Sequence, residues 1–312
     1  MAAARASFYG CAVDTISWLL DSDPAIRWQA LRDLCAASAT DIAAERARVA
    51  TTGLGAKLLA HQAPNGSWQK AGAPDWLPTL FSLQLLRATG VEPEAPQVQA
   101  AIERLQAGFR WEEELGGKPF FDGETEPCIN GGALALGAYF GQPSESLALR
   151  LLGEQLPDGG WNCEAPKSQR SSFHSTICVL EGLQEYEGAV GPEPALVAAR
   201  RRAERYLLER SLFRRHSTGE VIDASFLQLA FPPRYRYDVL RALDYFRSVG
   251  QSFDPRMAEA CALIESKRDV EGRWPLERTH DESLCFPIPE TLGQPSRWNT
   301  LRALRVLRWA AR

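Results

Sequence analysis

The apolar positions of this chain recur in helical register and then recur again as larger units. Three stretches nearly coincide: Arg27-Trp28-Gln29-Ala30-Leu31-Arg32-Asp33-Leu34, Arg236-Tyr237-Asp238-Val239-Leu240-Arg241-Ala242-Leu243 and Arg297-Trp298-Asn299-Thr300-Leu301-Arg302-Ala303-Leu304. In each, an aromatic and two leucines follow one another three residues apart, which places them on one helix face. Weaker copies begin at Pro127-Cys128 and Phe173-His174, and a looser one at Asp75-Trp76. The equivalent positions are then Trp28, Trp76, Cys128, His174, Tyr237 and Trp298, with a period of roughly 50 residues, as in helix-pair repeats.

Between these helices lie second amphipathic stretches, at Gln97–Leu105, Glu145–Leu156, Pro194–Leu212 and Arg256–Lys267. Several end in a turn bearing glycine and tryptophan: Pro64-Asn65-Gly66-Ser67-Trp68, Pro157-Asp158-Gly159-Gly160-Trp161 and Asp269-Val270-Glu271-Gly272-Arg273-Trp274. Glycine supplies the left-handed backbone that stops a helix, and the tryptophan packs back across it. Six inner helices alternating with about six outer ones bury all their apolar faces if the pairs close into a ring. The expectation is an all-α protein, an α/α toroid forming a single domain over 1–312, with 1–20 an outer helix or N-terminal extension. An open solenoid is the alternative, because period alone does not fix curvature.

Composition narrows the function. The chain is 45% hydrophobic and 24% charged, that of a globular protein with a sizeable core. A formal charge of -4 argues against a nucleic-acid partner. Met1 to Asp14 lacks the apolar run of a signal peptide, and no stretch is long and apolar enough to span a membrane. A cytoplasmic location is expected. Seven scattered cysteines read as reduced thiols or metal ligands rather than a disulfide framework.

The Gly-Trp turns resemble the Gln-Trp-type repeats of squalene–hopene cyclases and protein prenyltransferase β subunits, over about residues 20–312. The resemblance implies the toroid and an isoprenoid-type substrate. In those cyclases an Asp-x-Asp-Asp motif opens an inner helix and supplies the protonating acid. Its best counterpart is Glu126-Pro127-Cys128-Ile129-Asn130, with Cys128 standing where the proton donor belongs. Prenyltransferase β subunits hold zinc through Asp, Cys and His at one end of the toroid, and lanthionine-type cyclases through Cys, Cys and His.

Two inner-helix positions depart from aromatic, Cys128 and His174, and the loop between their helices adds Cys163. Sulfur and imidazole together suit Zn²⁺ with one open position, so Cys128, Cys163 and His174 are the expected ligands, with Glu164, His280 or Cys285 open as a fourth. Trp28, Trp76, Tyr237 and Trp298 are expected to wall an apolar cavity, and Arg236 and Arg297, like Arg27, to bind a phosphate or carboxylate. Glu126 and Asp75 are the candidate acids, and Tyr237 is also a catalytic candidate. The plainer readings are that the cysteines and aromatics are core, that the acids cap helices, and that Arg302, Arg305, Arg308 and Arg312 form a solvated face or pair with neighbouring acids. Three functions follow: a zinc-dependent enzyme acting on an apolar, isoprenoid-type small molecule, a metal-free cyclase or isomerase using Glu126 or Asp75, and a non-catalytic ring that binds a ligand or a protein partner.

Overall fold

The computed structural model describes residues 14–280 and 283–312. Residues 14–20 are helical; the rest of the expected first helix, with Cys11, lies outside the described residues. Twelve longer helices follow: α1 (Pro24–Leu34), α2 (Ala39–Ala47), α3 (Gly53–Ala60), α4 (Trp76–Thr89), α5 (Pro96–Gly108), α6 (Pro127–Tyr139), α7 (Glu145–Gly153), α8 (Phe173–Val190), α9 (Pro194–Leu208), α10 (Val239–Ser248), α11 (Ala258–Ser266) and α12 (Arg297–Ala310). A two-residue ribbon, β1 (Trp274–Pro275) and β2 (Pro295–Ser296), pairs antiparallel.

Helix starts follow the local chemistry. Asp23, Ser144, Asp238 and Ser296 each accept a backbone N–H from the first turn of the helix they precede, satisfying a donor that has no partner inside the helix. The outer helices sit where the pattern put them. α9 stops at Leu208 rather than Leu212, because Ser211 and Leu212 turn left-handed.

The Gly-Trp turns do more than end helices. Trp68, Trp161 and Trp274 are fully buried, and their indole N–H groups donate to Leu58, Leu151 and Ile264, ten residues earlier. Their backbone N–H groups donate to the hydroxyls of Thr79, Thr176 and Thr300 on the following inner helix. Each turn therefore clamps an outer helix C-terminus to an inner helix N-terminus. In two of them a glutamine six residues before the tryptophan, Gln62 or Gln155, bridges the turn carbonyl and the next outer helix.

These clamps set α1, α4, α6, α8, α10 and α12 as an inner ring, with α2, α3, α5, α7, α9 and α11 outside. The circuit closes side by side. Trp28 and Gln29 donate to Thr89 and Ala88 on α4, and α4 packs on α6. α6 meets α8 backbone to backbone, because a Cβ on Gly131 would lie 2.5 Å from the Cys178 carbonyl and one on Gly182 would lie 2.5 Å from that of Gly131. Arg241 of α10 pairs with Glu181 of α8 at 2.8 Å. α12 packs on both α10 and α1, and Arg308 donates to the Leu34 carbonyl at 2.6 Å.

This packing corrects the repeat register at one end. Arg297 reaches the Asp21 carbonyl while Arg305 reaches Gln29 and Asp33, so Trp28 lies about two turns deeper than Trp298. A two-turn shift leaves a helical stripe on the same face, which is why the sequence match looked equivalent.

Candidate functional site

All six inner helices line one central cavity of about 390 Å³. Its lining includes late residues of each helix, Arg32, Arg87, Tyr139, Glu185, Ser248 and Arg305, so the helices run in the same direction and the cavity reaches their C-terminal ends. Towards the N-terminal ends the segment 230–236 crosses it. Phe231 stacks on Trp298 with ring centres 4.4 Å apart, the Ala230 carbonyl accepts from Arg302, and Arg234 lies over Phe81 at 4.2 Å.

The wall is not the aromatic one expected. Trp28, Phe81, Leu136, Phe231, Trp298 and Leu301 contribute to it, but so do eight arginines, at 32, 46, 87, 234, 241, 247, 302 and 305, against three carboxylates, Glu181, Glu185 and Asp244. Glu185 pairs with Arg87, and Glu181 with Arg241. Asp244 is shared by Arg247, Arg302 and Arg305. Burial pushes its carboxyl up, but those guanidiniums outweigh burial and hold it below the usual carboxylate range. Arg46 donates to the Gly90 carbonyl at 2.8 Å and, like Arg32, lies over the Trp28 ring. Arg302 and Arg305 do pair with acids, yet they face inward; the solvated-face reading fails for them.

The expected aromatics divide. Trp28 and Trp298 line the cavity, whereas Trp76 is half-buried against Trp111, 6.0 Å away. Tyr237 is buried, donates its hydroxyl to the Leu212 carbonyl, and has its phenol pushed well above the ordinary value by burial, so it keeps its proton. Arg297 reaches the Asp21 carbonyl and lies over Trp18, outside the cavity. Asp75 accepts from Ser67 and Gln69 within its own turn.

At the N-terminal end of the ring, the close approach of α6 to α8 brings Cys128 to Cys163. With Glu126 they form the candidate metal-ligand group among the described residues, all donor atoms within 4.8 Å of one another. Cys128 Sγ lies 3.6 Å from Glu126 Oε2, and Cys163 Sγ lies 3.2 Å from Ser175 Oγ. The hydrogen bond to Cys163 and then burial push the Cys128 thiol up, while the same bond pulls Cys163 down. Two sulfurs and a carboxylate with one open side suit zinc.

His174 is not in this group. Its Nδ1 accepts the Tyr237 backbone N–H at 2.8 Å, so the neutral ring carries its proton on Nε2 and has no lone pair left for a metal. Burial first, then Arg236, Arg241 and Arg278, lower its pKa to about 4. Glu126 stands in its place. Of the proposed fourth ligands, Glu164, His280 and Cys285 are also outside the group. Cys178 and Cys261 are buried, each pushed up to about 11, and Cys35 is half-buried, consistent with packing roles.

The sequence reading missed the inward arginines, whereas Pro232-Pro233 reads as a rigid loop at the cavity mouth, and both prolines line the cavity. A signal for the arginines was present: Arg302 and Arg305 fall three apart on a helix already known to be inner.

No protein-family model matches this chain, and no curated protein does. Among solved structures it is similar to a protein from Actinoplanes, with 18% identity, 97% of this chain and 99% of that one covered, and a TM-score of 0.50. It also aligns with the type II terpene cyclase MstE from Scytonema in its apo form, with 15% identity, 98% of each chain covered and a TM-score of 0.49. The first likeness concerns the fold.

Proposed function

We propose that the chain is an enzyme whose central cavity holds an amphiphilic substrate, an apolar isoprenoid-type body carrying a phosphate or diphosphate head. The observation that carries this reading is that, among the described residues, eight arginines of the wall meet four carboxylates, Glu181, Glu185, Asp244 and the Asp33 that pairs with Arg32 and Arg305, beside apolar side chains that include Trp28, Phe81, Leu136, Trp298 and Leu301. Guanidinium forks match phosphate oxygens in pairs, and the aromatic faces suit a prenyl chain. The Gly-Trp repeat supports the isoprenoid part. Helix C-termini also attract arginines for their carbonyls and dipoles, as Arg46 and Gly90 show, but that accounts for single contacts and not for the surplus.

Calorimetry with farnesyl diphosphate and farnesol tests it. The diphosphate is expected to bind at least about tenfold more tightly, and Arg46→Gln to remove most of that advantage. Equal affinity for the two would sink the reading.

A second reading adds zinc at Glu126, Cys128 and Cys163, favoured by the convergence of these three side chains. When bound, zinc lowers the pKa of a thiol or water at its open position. Purified protein is then expected to carry one zinc per chain, lost in Cys128→Ser. For a cyclase without metal, Glu126 and Asp75 remain the candidate acids, although neither lines the central cavity.

A further inference from the structure

A second cavity, of about 270 Å³, lies on the far side of the segment 230–236 from the arginine-lined one. It is walled by His174 at the start of α8, by Tyr237 just before α10, by Asp223, Ser225, Gln228 and Ala230 from the stretch that precedes it, and by Arg236, Arg278 and the buried His280. None of the three readings above uses it.

Its chemistry is one-sided. Neither guanidinium, of Arg236 or of Arg278, forms an ion pair within 4.0 Å with a described residue. Asp223 is committed to its own turn, accepting the Ser225 N–H at 2.8 Å. His174 is fixed as a donor: with Nδ1 occupied by the Tyr237 N–H, the hydrogen on Nε2 is what the ring can offer a ligand. The Ser225 hydroxyl bonds to Asp223 as well, and Gln228 adds an amide. Burial first, and then Arg236, Arg241 and Arg278 against the opposing Asp223, keep the His174 ring neutral. Among the described residues, two cationic forks, a fixed imidazole N–H and the Gln228 amide line this space with one carboxylate, Asp223.

We propose that this pocket is a binding site for a small oxyanion, a phosphate or carboxylate group held by Arg236, Arg278 and the Nε2–H of His174. Such a group accepts from every donor named and completes the charge of the two arginines. The site is independent of the central cavity, so either can fail without the other.

The test is site-resolved. The chain has four histidines, so histidine-labelled full-length protein reports on His174 by NMR at neutral pH. Inorganic phosphate and acetate are added separately at matched ionic strength, with chloride as the control. The expected result is a saturable shift of the His174 ring signals with phosphate, acetate or both, and the arm that saturates identifies the oxyanion. Arg278→Gln and Arg236→Gln each weaken it by about tenfold or more, whereas Arg46→Gln, in the other cavity, leaves it unchanged. No shift with either anion, an equal response to chloride, or a response lost in Arg46→Gln and kept in Arg278→Gln would overturn the assignment.

Discussion

At the N-terminal ends of the inner helices the ring carries Glu126, Cys128, Cys163 and a neutral His174; at the C-terminal ends it carries Arg32, Arg46, Arg87, Arg247 and Arg305. The two ends belong to the same parallel helices. Each helix presents unpaired N–H groups and partial positive charge at its start, and carbonyls with partial negative charge at its end, worth about 0.3–1 kcal/mol per well-placed charge. The thiols and Glu126 gather at one end, where Arg236 and Arg278 also lie, and the larger group of arginines with Glu181, Glu185 and Asp244 lines the cavity that reaches the other, with the segment 230–236 between them. One scaffold thus offers an anion-poor, arginine-rich cavity and a thiol group suited to a metal.

The comparison breaks most sharply at Asp244. Asp244→Asn removes the anion that Arg247, Arg302 and Arg305 share and is expected to cost about 3–5 kcal/mol, measured by urea denaturation. A loss under 1 kcal/mol would mean the arginines are held by something else. At the opposite end, Gly131→Ala forces a methyl against the Cys178 carbonyl. It is expected to cost about 2–3 kcal/mol and, by spreading α6 from α8, to weaken zinc binding, with the arginine cavity's affinity for farnesyl diphosphate less affected.

The two ends should also separate by pH. His174 is held neutral, with its pKa lowered to about 4 by burial and then by nearby arginines, so the unfolded chain takes up its proton first. That contribution, on the order of 2 kcal/mol, is complete above the unfolded value near 6.5 and lost as pH falls towards 4. Asp244, held below 3.8 by its arginines against the pull of burial, keeps its contribution through that window and loses it only at lower pH. His174→Phe is expected to flatten the upper step and leave the lower one, as read from thermal melts across pH. The smallest effect belongs to a site near neither end: Gly188→Ala, on α8 with open space around its Cβ, is expected to gain about 0.5–1 kcal/mol through helix propensity and to change neither binding.

Much of the architecture was legible because it is local. The leucine spacing gave the inner helices, and the Gly-Trp turns marked where outer helices stop, since a left-handed glycine and a large aromatic leave a sequence trace. Register was legible only in part. Trp298 and Cys128 fell at helix starts as read, while Trp28 lay two turns deeper, because a periodic pattern cannot distinguish a shift by whole turns. Cys163 was set beside Cys128 from the loop that leads into α8, and the structure brings them together. His174 was read as the neighbour of Cys128 from their repeat positions, but the Tyr237 amide claimed its free nitrogen.

The chain by itself determined the repeated helix pairs and their turns, whereas the contact of α6 with α8 through Gly131 and Gly182 emerged only from the packing. Only the tertiary structure decided which face of each inner helix meets the central space, and so that Arg87, Arg241, Arg302 and Arg305 turn inward. Helical periodicity records which side of a helix is apolar, whereas a buried arginine is settled by a partner acid on another helix, and that pairing exists only once the ring has closed.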